Sequence, residues 1–364
     1  MSLTHGSSVE AKPDRTAAVR RLYLRFLPRF GLRTLLVLLV VVSIGFATIG
    51  RWLYKARERD AAYEIIAQNA SVLTPGELSV PWYVRLWTGD NWLAPRHAHL
   101  IDCELTAELV GALAKFPEIS DVYLEDVAIG PEGSELFRTR SELGLLILDR
   151  PRVRDSRFWS AVADSGVRDL EVIGEPDPLT DQGVASQPSR LRDDHLPIAV
   201  IDEEVLIALA GNSELGVLHV RNARLMGREL DCLKDLNELT HLSLDSCAIG
   251  DHAARALGAL APLRQLHLPN NPLGDAVLAE LRGHRRLLVL DVAHTNVTDA
   301  GLVHVGTIEQ LFTLDVSGTQ VTDAGLQHLT SLKSLERLNV ADTNVTDAGI
   351  ESLRKELPQL EIDF

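Results

Sequence analysis

The chain has 364 residues, 46% of them hydrophobic, and a net charge of −15 at pH 7. It can therefore bury a substantial core, and length alone suggests two or three domains. Residues 1–60 carry 11 Lys/Arg against 4 Asp/Glu, leaving 25 against 47 on the remainder, so the main body repels phosphate backbones and nucleic acid is not its expected partner.

Residues 1–30 form a polar, basic tail, expected in the cytoplasm. From Thr34 to Gly50 there is no charge, and with Leu32 and Trp52 the apolar stretch reaches about 20 residues, enough to cross a bilayer core of roughly 30 Å. Arg25, Arg29 and Arg33 before it, and Arg51, Lys55, Arg57 and Arg59 after it, are flanks that a buried core helix would not carry. Residues 31–52 are therefore expected to be a transmembrane signal anchor. Arg20 and Arg21 bring the basic residues before the span to five against four after it, too small an excess for the positive-inside rule to decide. The span's place near the N-terminus, with the bulk of the chain after it, leaves the N-terminus in the cytosol. It puts the body, single-pass, on the far side of the cytoplasmic membrane. Cleavage as a signal peptide after the small residues Gly45 and Ala47 is the alternative.

Residues 53–94 begin with a helical continuation over Asp60–Asn69. They end in SVLTPGELSVPWYVRLWTGDNWL, which holds Trp82, Trp87 and Trp92. A solenoid needs its open end covered, so this stretch is expected to be a hydrophobic N-terminal cap; an aromatic ligand site is the lesser reading.

From residue 95 the chain repeats itself. Segments starting at 215, 239, 263, 287, 311 and 335 share apolar positions 1, 4, 6, 11, 16 and 19. The later ones read LLVLDVAHTNVTDAGLVHV, LFTLDVSGTQVTDAGLQHL and LERLNVADTNVTDAGIESL, and a half-segment, LEIDF, starts at Leu360. Carried backwards, the same 24-residue frame finds degenerate copies at 95, 119, 143 and 167, the last one lengthened by an insertion over about 174–199. The LxxLxL half reads as a short strand and the half after position 12 reads with helical spacing. No copy can bury its apolar side alone, and stacking builds one continuous core.

This pattern resembles the leucine-rich repeat, LxxLxLxxNxL, with Thr295, Thr319 and Thr343, Asn271 and Cys247 at position 9. The TxVTDAGL version is similar to the cysteine-containing-like repeats of membrane-anchored proteins in planctomycete-type bacteria. The resemblance covers 95–364 and implies an α/β right-handed horseshoe of about ten repeats, parallel strands on its concave face, preceded by one transmembrane helix. In that family a similar P-W segment precedes the repeats.

Within VTDAGL, Thr298, Thr322 and Thr346 are placed to be helix N-caps. Asp299, Asp323 and Asp347 follow in the first turn, where the helix dipole favours negative charge. Gly301, Gly325 and Gly349 allow close stacking on the neighbouring copy. Cys103 and Cys247 fall at position 9, the repeat's small buried site, and lie too many strands apart for a disulfide. Cys232 falls on a helix, and no CxxC spacing suggests zinc. Asn296 and Asn344 open NVT sequons at a tight helix entry, where glycosylation means little. No P-loop, HExxH, GxSxG or GxGxxG motif opens a helix, and no cofactor is expected.

Positions 3 and 5 of each strand point to the concave face, because alternate residues share a side. Down the better copies they read Val217/His219, His241/Ser243, Gln265/His267, Val289/Asp291, Thr313/Asp315 and Arg337/Asn339, changing while the apolar positions hold. His219, His241, Ser243, Gln265, His267, Asp291, Asp315, Arg337 and Asn339 are thus the candidate binding residues. The histidines among them read as solvated side chains rather than metal ligands. The expected function is a membrane-anchored, non-enzymatic scaffold or receptor-like module that binds another protein. An enzyme or enzyme subunit with a site in the insertion, which holds His195 and several Asp without a nucleophile–base pair, is the alternative. An F-box-like substrate adaptor is a further one, disfavoured because a membrane helix stands where its adaptor module would be.

Overall fold

The computed structural model describes residues 32–75, 95–140, 143–153, 155, 157–174, 203–223, 225 and 228–364. The N-terminal tail, the three tryptophans of the expected cap and the expected insertion beyond Gly174 lie outside the described residues. The chain divides into two compact units, Met1–Arg57 and Glu58–Phe364. Helix α1 (Leu32–Asn69) begins in the first. Among the described residues no helix is long and apolar enough to cross a membrane. The expected span falls on the start of α1, where the side chains of residues 32–39 lie outside the described set; Val40, Val42, Ile44 and Phe46, which follow, are exposed.

The second unit is organised by one sheet. Its strands are β1 (Ala70–Pro75), β2 (Pro95–Ile101), β3 (Asp121–Glu125), β4 (Leu145–Asp149), β5 (Asp169–Ile173), β6 (Val217–Arg221), β7 (His241–Asp245), β8 (Gln265–His267), β9 (Val289–Asp291), β10 (Thr313–Asp315), β11 (Arg337–Asn339) and β12 (Glu361–Asp363), hydrogen-bonded in chain order. β1 runs antiparallel to β2. The eleven strands from β2 onward are mutually parallel. The register follows the sequence frame: Leu242 pairs with Leu266, Leu266 with Leu290, Leu290 with Leu314, and Leu314 with Leu338. Across the insertion Asp169 still pairs with Val217, so the extra residues leave the ladder unbroken.

Each parallel step needs a crossover, and the crossovers carry short helices. These are α2 (Ala107–Leu113), α3 (Pro131–Arg138), α4 (Phe158–Asp164), α5 (Glu203–Leu209), α6 (Ala254–Gly258), α7 (Asp275–Glu280), α8 (Asp299–Val305), α9 (Asp323–Leu326) and α10 (Asp347–Glu356). The copy at 215 has a 3-10 turn, Arg228–Asp235, instead. All are shorter than the roughly 12–15 residues that a helix needs to persist alone in water, so packing holds them. Leu242, Leu266, Leu290, Leu314 and Leu338 form one column between sheet and helices, none more than 1% exposed. Each such side chain stabilises by roughly 1.5–3 kcal/mol.

Hydrogen bonds between copies fix how they stack. Asn271, 2% exposed, accepts from the backbone N–H groups of Cys247 and Ile249, both at 3.0 Å, and donates to Leu244 O at 2.6 Å. It thus ties its own copy to the preceding one. In the copies from 287 onward position 9 is threonine, and Thr295, Thr319 and Thr343 bond within their own copy, each donating to the carbonyl three residues back at 2.6 Å.

The tie between copies passes there to VTDAGL. Thr298, Thr322 and Thr346 cap their helices as expected, accepting from Ala300, Ala324 and Gly349 N–H groups. Each also gives its backbone N–H and its hydroxyl to the aspartate of the preceding copy. Asp275 takes Thr298 at 2.9 and 2.7 Å, Asp299 takes Thr322 at 2.8 and 2.7 Å, and Asp323 takes Thr346 at 2.8 and 2.7 Å. The same carboxylates close over the glycines. A Cβ on Gly301 would stand 2.5 Å from Asp275 Oδ1, and Asp299 and Asp323 close off Gly325 and Gly349 alike. Threonine, aspartate and glycine form one lock, with the aspartate supplied by the copy before.

Where Leu236, Leu260 and Leu332 stand at position 22 of their copies, three other copies carry a polar side chain that bonds to carbonyls of the preceding copy or of its own. Arg140 donates to Leu113, Phe116 and Ile119 carbonyls at 2.7, 3.2 and 2.8 Å, and burial pulls its guanidinium pKa down. Asn212 donates to Val167 O at 2.7 Å. His284, 5% exposed, has Nε2 3.0 Å from Gly258 O, while its Nδ1 is buried without a partner.

The second unit opens with the end of α1 and the strand that follows. Ala62 and Ile66 of α1 are buried in the core, Arg59 lies over the Phe116 ring at 4.8 Å and meets Glu118 at 2.9 Å, and Glu58 meets Lys115 at 3.7 Å. β1 then pairs along the first parallel strand. The end of the helix and the antiparallel strand therefore cover the N-terminal end, the strand being the start of the stretch expected to cap it, whose tryptophans lie outside the described residues.

Gly301→Ala tests the lock by its sign. In a free helix this change stabilises by about 1 kcal/mol; here the added methyl presses on Asp275, and a net loss on the order of 1 kcal/mol is expected in urea unfolding. Paired with Asp275→Ala, the two changes should cost less than their sum. Simple additivity would mean that the lock does not exist.

Acid should weaken the fold. Burial holds His284 below the ordinary histidine pKa, and His219 and His241 likewise. Stability from a depressed histidine is complete above the unfolded value of about 6.5 and is lost as pH falls through the folded value. The unfolding midpoint should therefore drop as pH falls below about 6.5, and less so in His284→Asn. An identical pH dependence in that variant would remove His284 as a cause.

Candidate functional site

On the parallel strands, positions 4 and 6 face the helices, and positions 3 and 5 form two files on the side that the helices leave open. The first file runs His97, Asp121, Leu145, Asp169, Val217, His241, Gln265, Val289, Thr313, Arg337, and the second His99, Tyr123, Ile147, Glu171, His219, Ser243, His267, Asp291, Asp315, Asn339. All nine sequence candidates lie on this face. His219 and Arg337 are exposed, and His241, Ser243, Gln265, His267, Asp291, Asp315 and Asn339 are half-buried.

Part of their chemistry is already used. Asp291 Oδ1 accepts from Ala293 N at 3.0 Å, Asp315 Oδ1 accepts from Ser317 N at 2.9 Å, and Asn339 Oδ1 accepts from Ala341 N at 3.1 Å. These three end their strands. Asn339 also donates to Asp315 Oδ2 at 2.8 Å, and His267 Nδ1 stands 3.4 Å from Asp291 Oδ2. His219 and His241 have no such carboxylate contact in their own strands; burial lowers both pKa values, while Glu171 and Asp169 respectively act to raise them. Neutral imidazoles near pH 7 follow.

The strands leave the face through a shared turn. At position 8, Asp102, Asp126, Arg150, Asn222, Ser246, Asn270, His294 and Asp342 take φ between 46° and 58°. Aspartate, asparagine and histidine tolerate this left-handed conformation better than other side chains. Arg150 does so within a cluster of acceptors: Asp126 at 2.8 Å, Glu125 at 3.2 Å and Asp149 at 3.6 Å. That pairing holds the Asp126 carboxyl below its ordinary range.

The N-terminal strands of the face carry residues that sequence reasoning passed over. His97 pairs with Asp121 at 2.6 Å, His99 with Glu125 at 3.3 Å, and the Tyr123 ring meets His99 edge-on at 5.0 Å. Positions 3 and 5 of the copies at 95, 119, 143 and 167 would have found them. The apolar frame is legible there, although these copies match the repeat in their apolar positions alone.

On the helix side, α3 and α4 border a hollow of about 260 Å³ lined by Ser134, Glu135, Arg138, Arg157, Ser160 and Asp164 among others. Two of the lining residues bond to the buried Asp155, Ser134 at 2.8 Å and Arg157 at 3.1 Å. The bond from Arg157 holds the Asp155 carboxyl below its ordinary range, which leaves it a weak base toward Ser134. Cys103, Cys232 and Cys247 are free thiols; burial pushes the Cys247 thiol up to about 12, which leaves it unreactive at neutral pH. Among the described residues no group of three or more His, Cys, Asp or Glu side chains could hold a metal ion.

Residues 236–258 and 327–353 match the family model described as a leucine rich repeat. Those segments are leucine-rich repeat sequence. The first contains Cys247 and Ile249, the groups bound by Asn271, and the second contains the Thr346 cap. Similar solved structures include an internalin, InlF, of Listeria monocytogenes, 13% identical, covering 74% of this chain and 86% of that one at a TM-score of 0.41. Another is the plant peptide hormone receptor RGFR1 in complex with RGF2, 16% identical, covering 73% of this chain and 42% of the receptor at a TM-score of 0.43. A third is the Listeria monocytogenes internalin InlC2, 21% identical, covering 45% and 75% at a TM-score of 0.35. No curated protein matches the chain in sequence.

Proposed function

We propose that the chain is a membrane-tethered leucine-rich-repeat scaffold of about ten repeats. Its open sheet face binds another protein, and it catalyses no reaction itself. One observation carries this reading. Eleven parallel strands hold a constant register, while the side chains that they present on the open face change from copy to copy. A regular frame with irregular display suits a partner that is not itself repetitive, and a helix-free sheet of this breadth is a large preformed surface.

The tether rests on sequence and on α1. The uncharged run Thr34–Gly50 lies within a 38-residue helix, and the described apolar side chains at its start are exposed. The span's place near the N-terminus, with the bulk of the chain after it, sets the N-terminus in the cytosol. A protease added outside intact cytoplasmic membranes is expected to digest the repeat region and spare the N-terminal tail; protection of the repeats would mean the opposite orientation or no insertion.

Binding is tested by photocrosslinkers placed at Ser243 or Gln265 on the open face, and at Val303 on the helix side, in membranes of the native host. Adducts are expected only from the open face, and His241→Asp with His267→Asp should weaken them roughly tenfold. Equal adducts from Val303 would overturn the reading. Excision of Pro176–Leu196 should leave the fold intact, because β5 and β6 pair directly and Gly174 N donates to Arg221 O at 2.8 Å. Loss of the cooperative unfolding transition in that deletion would show that the segment is part of the core.

A further inference from the structure

The two halves of the open face differ in how their carboxylates are spent. In the C-terminal half, Asp291 and Asp315 are bound to backbone N–H groups, and Asp245 meets Arg221 at 3.2 Å. In the N-terminal half the face carries Asp121, Glu125, Asp149, Asp169 and Glu171, of which Arg150 pairs with Glu125 and Asp149 as well as with Asp126. His97 and His99 stand against Asp121 and Glu125. Among the described residues, no side-chain hydrogen bond or ion pair engages Asp169 or Glu171.

Glu171 sits in the second file beside Ile147, which is 5% exposed, with Tyr123 one strand further. Tyr123 is 39% exposed, and its hydroxyl lies in the field of Glu171, Asp149 and Glu125, which together with burial push its pKa up. An aromatic face, an aliphatic floor and two carboxylates that no side-chain hydrogen bond or ion pair engages among the described residues are thus joined on adjacent strands. Ring and carboxylates attract a cation, and Leu145 and Ile147 suit the methylene stem that carries one.

We propose that the open face between β3 and β5 binds a lysine- or arginine-bearing segment of the protein partner, with Asp169 and Glu171 as its anionic contacts and Tyr123 as its aromatic one. This rests on the open face being the binding surface and adds the chemistry of what it binds. An acidic partner is repelled here, and so is a second copy of the strongly acidic main body.

The test uses the full chain in detergent and fluorescence anisotropy with two labelled probes, a peptide alternating arginine and serine and one alternating glutamate and serine. The arginine peptide should bind and the glutamate peptide should not. Asp169→Asn with Glu171→Gln should weaken binding about tenfold. Tyr123→Leu should weaken it several-fold, with Tyr123→Phe close to the parent. Glu132→Gln with Asp164→Asn, on the helix side, should change nothing. Unchanged melting temperatures establish that each variant is folded. Equal loss in the helix-side variant, or none in Asp169→Asn with Glu171→Gln, overturns the proposal. The photocrosslinked adducts separate the two readings. If they survive Asp169→Asn with Glu171→Gln but fall with the His241 and His267 changes, the open face binds a partner that is not basic. If neither pair of changes alters them, the open face is not the binding surface.

Discussion

The fold depends on how one copy grips the next. None of the crossover helices could stand alone, and leucines fill the interior without dictating an angle or an offset between neighbours. Directional bonds supply that. Asn271 ties the copy at 263 to the copy at 239. From there onward Asp275, Asp299 and Asp323 each hold the threonine that opens the following helix. With the helix entries fixed at one offset, the strands can pair only in the register observed, and the files of the open face follow from that register.

The same economy sorts the charges. A strand that ends in a left-handed turn needs an acceptor for the N–H groups beyond it, and Asp291, Asp315 and Asn339 provide one. Their place on the open face is as much architectural as receptive. In the earlier strands the turns are served differently, with Arg150 gathering Glu125, Asp126 and Asp149. Asp169 and Glu171 are left over. Most of the carboxylates on this face are thus spent within the fold, and among the described residues Asp169 and Glu171 are the exceptions.

Much of this was legible in the amino-acid sequence. The 24-residue spacing of leucines gave the strand frame even in the degenerate copies, because burial at positions 4 and 6 tolerates Val122, Leu146 or Leu170 equally. Thr298, Thr322 and Thr346 were readable as caps, because a cap is local. The aspartates were not fully readable. A dipole argument needs only the helix that contains them, whereas their partners lie 23 residues on, and spacing alone does not reveal a bond between copies. Strand β1 escaped for a related reason: its pairing with β2 is a long-range fact, and SVLT before a Pro-Gly pair reads equally well as linker. The open face is plain in sequence only where the repeat is regular, which brings forward Asp291 and Asp315, partly committed to turns, ahead of Tyr123 and Glu171 in the degenerate copies.

The lock between copies has a direction. The carboxylate always belongs to the earlier copy and the threonine to the later one. A polypeptide is made from its N-terminus, so at every step the acceptor has left the ribosome before its donor exists. Each new copy meets a finished edge with its aspartate already in place, and it can close as soon as its own threonine emerges, without waiting for anything downstream. The repeat is a template for its successor, and the grammar of VTDAGL is written in the order of synthesis.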